Sequence, residues 1–516
     1  MSTEPTTGTE TGTGAGTGTD TEVVIVGAGP TGLTLAVDLA RRGVRALLVE
    51  RGDRLFPGSR GKGVQPRSQE VLDDLGVLPA FRAAGTPYPR MLNHLGAEVQ
   101  GEWDMLERVA PTEPAPYAEP LLVPQSRTQE LLHARLREVG GEVRFGTTLT
   151  GFRQTADGVT VELSCGGAAE TVRAAYLVAC DGGRSTVRRA LGIGMTGETV
   201  DPHPMLVADV RIAPSAAGPH ARLHRDNWHM WPQAPGGGVG LCPLPGGDLF
   251  QLVAGFADER ATVDTSPEAV RDLLTARTPL TAADVVEVVW ASDFRARAAM
   301  ADRFRDGRVF LAGDAAHVHS PAGGQGLNTG LQDAYNLGWK LGRVLRHGAP
   351  AALLDSYEAE RLPVAAAVLG LSTRIHRAAA AGARTRRGAT ERQLGLGYRD
   401  SALAVETRTG LAEDALRAGD RAPDGRYAEG RLFDLFRGPR PVLLAVGVPL
   451  PERPQAPAEQ LPTGRLTAYE PYGTGLFLIR PDGYVGWAGR SAEGVGPESL
   501  TAYLAALGTS APVPAP

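Results

Sequence analysis

Three short glycine-bearing turns in this chain, two of them with a carboxylate of their own, could hold a phosphate- or ribose-bearing ligand. The first, Gly27-Ala28-Gly29-Pro30-Thr31-Gly32, is a GxGxxG set directly after the apolar run Val23-Val24-Ile25-Val26 and directly before a helix-forming stretch. Its first glycine permits a tight turn, the second lets the backbone approach a pyrophosphate, and the third lets helix and strand pack closely. The helix N-terminus then faces the phosphate charge. Glu50 ends the next strand, where an acidic side chain accepts from ribose hydroxyls. The second cluster is Cys180-Asp181-Gly182-Gly183-Arg184, after Tyr176-Leu177-Val178-Ala179. The third is Gly313-Asp314-Ala315-Ala316-His317, continuing through Pro321-Ala322-Gly323-Gly324-Gln325-Gly326-Leu327-Asn328. The first cluster with Glu50 reads as dinucleotide binding and does not by itself separate one dinucleotide from another.

Such residues must be positioned by particular elements. Residues 23–26 are apolar on both faces, as a buried parallel strand must be. A helix over 33–40 ending near Gly43 and a second strand over 46–49 complete a βαβ unit. The middle of the chain reads differently. Residues 90–125 and 200–295 carry short extended stretches separated by turn clusters such as Pro235-Gly236-Gly237-Gly238 and Pro245-Gly246-Gly247-Asp248, the pattern of an antiparallel sheet. Parallel-strand character returns over 309–312, followed by helices over 327–346 and roughly 355–387, and a strand over 475–479 sits in a small C-terminal α/β unit.

Composition narrows the function classes. The chain has 516 residues, 42% hydrophobic and 22% charged, enough for several domains with ample cores. Its formal charge of -5 argues against nucleic-acid and membrane-surface partners, and no apolar run approaches the roughly 18 residues that span a bilayer. Residues 1–20, mostly Thr and Gly, have neither a basic n-region nor an apolar core; they read as a disordered tail rather than a secretory signal. Three cysteines without a CxxC make a reducing cytoplasm the default location. Only two of the 53 cations are lysines, Lys62 and Lys340. His317 and His319 form an HxH without an accompanying carboxylate or cysteine cluster, so no metal site is assigned. Neither HExxH nor GxSxG occurs.

With its three clusters in this order, the chain resembles the class A FAD-dependent aromatic hydroxylases, in particular the aromatic-polyketide hydroxylases and the rifampicin-type antibiotic monooxygenases. The resemblance implies an α/β fold: a Rossmann-like FAD domain with an inserted antiparallel-sheet substrate domain and a thioredoxin-like C-terminal domain lacking CxxC. The expected layout is FAD domain over 21–89, 126–199 and 296–400, substrate domain over 90–125 and 200–295, and C-terminal domain over 415–516. The implied chemistry is reduction of FAD by NADPH or NADH, addition of O2 at flavin C4a to give a hydroperoxide, and transfer of one oxygen to an aromatic, polycyclic polyketide substrate. A small phenol, an antibiotic, or simple drug binding without turnover are the alternatives. The cofactor carries that chemistry, so no side-chain nucleophile or obligatory base is assigned.

The same resemblance assigns site residues. Gly27, Gly29, Thr31, Gly32, Glu50 and Arg51 would hold the adenosine and pyrophosphate end of FAD, with Leu149 offering a backbone contact to adenine. Asp314 would accept from the ribityl hydroxyls, and Asp181 would serve both FAD and the nicotinamide. Pro321, Gly324, Leu327 and Asn328 open a helix whose N-terminus would face the flavin and stabilise its reduced anion by up to about 2 kcal/mol. Arg60, Lys62 and Gln125 would complete the cofactor site. Trp228, Met230 and Trp231 would stack on the substrate, with core packing as the other reading. The expected partners are O2 and a small aromatic molecule, in a monomer or homodimer.

Overall fold

The computed structural model describes residues 20–216, 223–380, 384, 386–451, 461–490 and 499–509. Of the expected N-terminal tail, residues 1–19 lie outside the described residues, whereas Asp20 already belongs to the fold: its N–H donates to Arg173 O (3.0 Å) and its carboxylate accepts from Arg173 N (2.9 Å).

Val23–Val26 is buried throughout because it has a parallel strand on each side, Tyr176–Ala179 and Ala46–Val49. Val309–Leu311 pairs in parallel with Tyr176–Ala179. Across the sheet the order is Arg305–Asp306, Val309–Leu311, Tyr176–Ala179, Val23–Val26, Ala46–Val49 and Val143–Arg144. Three strands far apart in sequence are thus spatial neighbours running the same way. The turns that follow them emerge side by side at the carboxyl end of the sheet, where open parallel sheets bind ligands. The helix Pro30–Arg41 starts with proline at its first turn, where the missing N–H is not needed. The helix Gly326–Arg346 is buried from Asn328 to Arg343.

The inserted region forms an eight-stranded sheet. Its order is His317–Val318, Val285–Ala301, Met195–Ile212, Leu249–Gly255, Val239–Pro243, Asn227–Trp231, Arg90–Leu95 and Glu98–Trp103. It is antiparallel, as expected, except where Asn227–Trp231 runs parallel to Arg90–Leu95. Those two strands come from separate pieces of the insertion and are not joined by a hairpin, so nothing forces them antiparallel. The expected limits at 200 and 295 fall inside the long strands Met195–Ile212 and Val285–Ala301, which run from one sheet into the other region. Leu121–Leu122 pairs with Gly63–Val64, so the end of the 90–125 segment belongs to the cofactor side. The helix Pro267–Arg277 buries Val270 and Leu274 against a core of Leu206, Val210, Trp231, Leu241 and Phe250 on one face.

The C-terminal sheet has the order Val405–Glu406, Val485–Gly489, Gly475–Ile479, Val442–Val446, Thr463–Leu466, and so begins ahead of residue 415. The turn after Gly475–Ile479 inserts Arg480 and Asp482 among buried helices. Arg480 donates to Glu360 Oε1 and Oε2 (2.7 and 2.9 Å) and to Asp482 Oδ1 and Oδ2 (2.9 and 2.6 Å). Lys340 Nζ and Asn336 Nδ2 also donate to Glu360 Oε2 (2.8 and 2.7 Å), and Arg67 Nη2 donates to Asp482 O (2.7 Å). Among the described residues no helix is long and apolar enough to cross a membrane, and the three cysteines are free.

Candidate active site at the seam of two sheets

The glycine turn is constrained at both ends and open in the middle. Gly27 has φ +103°, and a Cβ there would land on the carbonyl of Cys180; a Cβ at Gly32 would land on the carbonyl of Gly27. Gly29 faces open space, with nothing within 4 Å of a would-be Cβ. It is also the N-cap of Pro30–Arg41, and no side chain caps that helix, so the first N–H groups remain available to an anion. Glu50 pins the turn, accepting from Ala28 N through Oε2 and Gly52 N through Oε1, both at 2.9 Å; each oxygen keeps a second lone pair. Arg51 beside it is exposed. Thr147 N donates to Glu50 O (2.9 Å), which brings the strand Thr147–Gln154 to the same end. Leu149 lies on that strand, paired with Leu163, with its side chain in the core.

The neighbouring turns bring carboxylates and cations. Asp314 borders the open cleft while protein walls it in elsewhere; that enclosure raises its pKa, and His317 and Arg60 only partly offset the rise. Arg60 is itself pushed down by burial, supported by Asp314 and opposed by Arg184, so this loop and the second and third turns contribute to one charged cleft. Asp181 Oδ2 accepts from Thr186 N (2.7 Å) and Val187 N (3.4 Å), whereas its Oδ1 is buried without a protein partner. The Thr31 hydroxyl is wedged between two glycines: a Cβ at either Gly313 or Gly330 would come within 2.5 Å of its oxygen. Thr31 therefore locks the first helix to the GD turn and to the helix Gly326–Arg346.

Under the GD turn runs a buried chain of titratable groups. Asp333 accepts from Gly313 N (3.0 Å), His317 Nε2 (2.6 Å) and Arg361 Nε (2.7 Å), and His317 Nδ1 pairs with His319 Nε2 (2.9 Å). Burial would raise the Asp333 pKa, but His317 and Arg361 outweigh it and hold it at about 2. With Asp333 ionised, His317 Nε2–H is the donor to its carboxylate. Burial, with His317 adding to it, pushes His319 down to about 3. The HxH is thus an internal carboxylate relay, and among the described residues no His, Cys, Asp or Glu group is arranged to hold a metal.

The loop Gly58-Ser59-Arg60-Gly61-Lys62-Gly63 crosses the inner face of the large sheet. A Cβ at Gly58 would land on the Trp290 ring, and one at Gly63 would land on the Tyr88 hydroxyl. Between these contacts the sheet presents a row set by its register: Trp290 opposite Asp209, Asp209 opposite Gln251, Gln251 opposite Cys242. Gln251 Nε2 donates to Ser59 O, and Gln251 Oε1 accepts from Lys62 Nζ. Lys62 Nζ stands 3.9 Å from the centre of the Trp228 ring. Arg60 lies over Phe56 (5.0 Å) and Trp290 (5.7 Å). Asp209 is buried with Oδ1 unpartnered, and burial pushes its pKa up to about 6 against the opposing pull of Ser59. Beyond Lys62 is an apolar cluster of Tyr88, Met91, Met105, Leu106 and Cys242, with Trp103, Trp228 and Met230 packed on it.

The structure thus brings Gly27, Gly29, Gly32, Glu50, Asp181, Arg60 and Asp314 to one cleft. Gln125 adjoins it, its Oε1 accepting from Gly61 N (3.1 Å), and Leu327 Cδ1 lies 3.3 Å from a would-be Cβ at Gly61. Pro321 opens the short turn before Gly324, which has φ +62° and faces Arg387. Asn328 is fully buried, its amide spent on Gln65 N (2.8 Å), Gly63 O (2.8 Å) and Gly324 O (3.0 Å); it fastens the loop to the helix.

Lys62 turns into the large sheet, toward Gln251 and Trp228. One expectation is corrected. Trp231 does not share the face of Trp228 and Met230: strand alternation sends it to the opposite core, where it stacks on His94 (4.7 Å) and donates to Gly96 O (2.9 Å). Sequence reasoning missed Asp209, Gln251, Trp290, Tyr88 and Arg387. Only strand register and a distant loop return bring them here, and neither leaves a local sequence signal.

Comparison with known proteins agrees with this geometry. Residues 20–372 match the FAD binding domain family, and residues 416–509 match the aromatic-ring hydroxylase C-terminal family. A flavin-dependent monooxygenase of Mycobacteroides abscessus is 46% identical over 90% of this chain and 96% of its own length. The 12-dehydrotetracycline 5-monooxygenase/anhydrotetracycline 6-monooxygenase of Streptomyces rimosus is 36% identical over 93% of this chain and 97% of that protein. The crystal structure of aklavinone-11 hydroxylase with FAD and aklavinone superposes with a TM-score of 0.80 at 29% identity, covering 95% of this chain and 99% of that one. Since the first match contains all three turns and the loop between the sheets, the chain belongs to the FAD-binding aromatic-ring hydroxylases, a family of flavin-dependent monooxygenases.

Proposed function

We propose that this chain uses NAD(P)H, FAD and O2 to place one oxygen atom on a planar, polycyclic aromatic substrate of polyketide type. The observation that carries the reading is the meeting of two unlike surfaces across one loop: polar glycine turns and carboxylates on one side, and an apolar cluster of Tyr88, Met91, Met105, Trp228 and Met230 on the other. The residues fit FAD. Gly29 and the uncapped helix start would take the pyrophosphate, Glu50 the ribose, and Asp314 the ribityl hydroxyls, while Asp181 Oδ1 lacks a protein donor. Bound FAD would supply hydride acceptance from NAD(P)H and activation of O2 at C4a. The protein orients the substrate, excludes water with the large sheet and offers the start of Gly326–Arg346 to developing negative charge. Resemblance to FAD- and aklavinone-bound aklavinone-11 hydroxylase supports a polycyclic substrate. Without a CxxC, the C-terminal domain, read as thioredoxin-like, serves structure. Demand for NAD(P)H fits a cytoplasmic site.

Purified protein should be yellow and release FAD on denaturation. With NADPH, a polycyclic phenol and 18O2 it should give a product with one labelled oxygen, detected by mass spectrometry. Label arriving from H218O, or oxidation that proceeds without O2, would overturn the reading.

A further inference from the structure

A buried cation with no anion beside it is costly unless a ligand supplies the anion. Of the two lysines in this chain, Lys340 is matched by Glu360 in the buried network described above. Lys62 is buried too, but among the described residues no carboxylate is within ion-pair distance of it. Its ammonium has the neutral amide oxygen of Gln251 and the face of Trp228. The groups facing it from the surrounding elements are Cys242 on Val239–Pro243, Asp209 on Met195–Ile212 and Arg387 in the loop after Asp355–Ala380. Arg387 opposes the charge, and the Cys242 thiol is kept neutral by burial. Asp209 lies further off, and Tyr88, which faces Cys242 and Arg387, is kept protonated by burial. The other side chains packed around it are thioether, aliphatic and aromatic.

We infer that Lys62 is the specificity group of the proposed substrate site, selecting a planar aromatic that carries an ionised oxygen and rejecting the same ring system when that oxygen is capped. The inference rests on the proposed function and names the substrate class of the same site. Trp228 contributes the stacking face and Gln251 fixes the ammonium, leaving it donor capacity toward a ligand. No covalent step is involved: a phenol or enol gives its proton to solvent on binding and its oxyanion then pairs with Lys62. A preorganised charge-assisted hydrogen bond of this kind is worth roughly tenfold to a hundredfold in affinity.

The test uses FAD-loaded protein and three probes: 2-hydroxyanthraquinone, its methyl ether and anthraquinone-2-carboxylate. Calorimetry gives affinities, and difference absorption reports whether the bound hydroxyl probe is ionised. The wild type should bind an anionic probe at least about tenfold more tightly than the ether, with the phenolate band visible below the probe's solution pKa. Preference for the hydroxyl probe marks a phenolate site, and preference for the acid a carboxylate site. Lys62→Met should abolish the preference, with FAD occupancy measured on the same samples by flavin absorbance, and Lys62→Arg should restore part of it. If Lys62→Met does not fold, Gln251→Glu, which sets a carboxylate on the ammonium, should remove the same preference. Equal affinity for all three probes, or a preference that survives both variants, overturns the assignment and leaves the flavin reading intact. Wild-type protein that takes up no FAD overturns both.

Discussion

The nucleotide-binding core is joined to its neighbours along two seams built on opposite rules. Toward the C-terminal domain, the Arg480–Asp482 turn enters a network in which both Glu360 oxygens receive charged donors, and Lys340, Asn336 and Arg67 fill in the rest. Toward the large sheet, the loop 58–63 meets a row in which Asp209 Oδ1 and Trp228 Nε1 are buried without a protein partner and, among the described residues, no carboxylate lies within ion-pair distance of Lys62. A seam saturated in its charges, with only Arg67 Nε and Trp339 Nε1 left over, has little to gain from a ligand and holds one geometry. A seam with spare hydrogen-bonding valence is in its best state only when something else arrives. The contrast separates architecture from function without appeal to sequence similarity.

The largest expected effect breaks the saturated seam. Glu360→Ala strands Lys340 and Arg480 in the interior, and removing one member of a buried pair costs about 3–5 kcal/mol. Chemical denaturation should show that loss, with the C-terminal and nucleotide-binding regions melting together. A loss under 1 kcal/mol would mean that the charges are solvated and the seam is not locked.

Next comes a residue of the open cleft. Asp314→Ala should weaken FAD binding by roughly tenfold to a hundredfold, the worth of about 1.5–3 kcal/mol for hydrogen bonds to a charged acceptor. Apoprotein stability should barely move, because among the described residues Asp314 makes no ion pair. Fluorescence titration with FAD and a melt of the apoprotein measure the two effects separately.

The smallest effect has the opposite sign. In Asp209 the folded-state pKa, at about 6, lies above the ordinary value of 3.8, so the folded protein holds this proton more tightly than the unfolded chain does. That preference is present at low pH and is lost as pH rises through about 6. Asp209→Asn should therefore stabilise the protein at pH 7–8, on the order of 1–2 kcal/mol, and flatten the stability profile between about pH 4 and 6. Denaturation curves across that range check the sign, and destabilisation at pH 8 would show that the charged form is the one the seam needs.

These two seams also mark how far sequence alone carries. The GxGxxG, DG and GD turns were legible because each is contiguous and follows its own strand. Their convergence follows from one parallel order, and the helix starting at Gly326 could be read from its periodicity. The row Trp290–Asp209–Gln251–Cys242 could not, because it exists only through the register of antiparallel strands whose pairing no spacing in the chain dictates. Lys62 was placed in its loop, but its contacts with Gln251 and Trp228 were not legible, since an isolated cation between two glycines carries no direction. Trp231 was grouped with Trp228 because adjacency in sequence hides the alternation of a strand. The HxH was assigned no metal, but its partner was not legible, because Asp333, which accepts from His317, comes from a later helix.

Both lysines lie inside the protein, so the described surface presents arginine in place of every primary amine a side chain could offer. Acylating reagents, amine cross-linkers and lysine-specific proteases find no ready side chain on the folded protein. Lys340 is reachable only by undoing the saturated seam, whereas Lys62 becomes reachable when the loop lifts from the large sheet. Acetylation of Lys62, followed by mass spectrometry, is therefore a clock on the opening of that one seam, and its slowing by a bound molecule is a direct measure of occupancy.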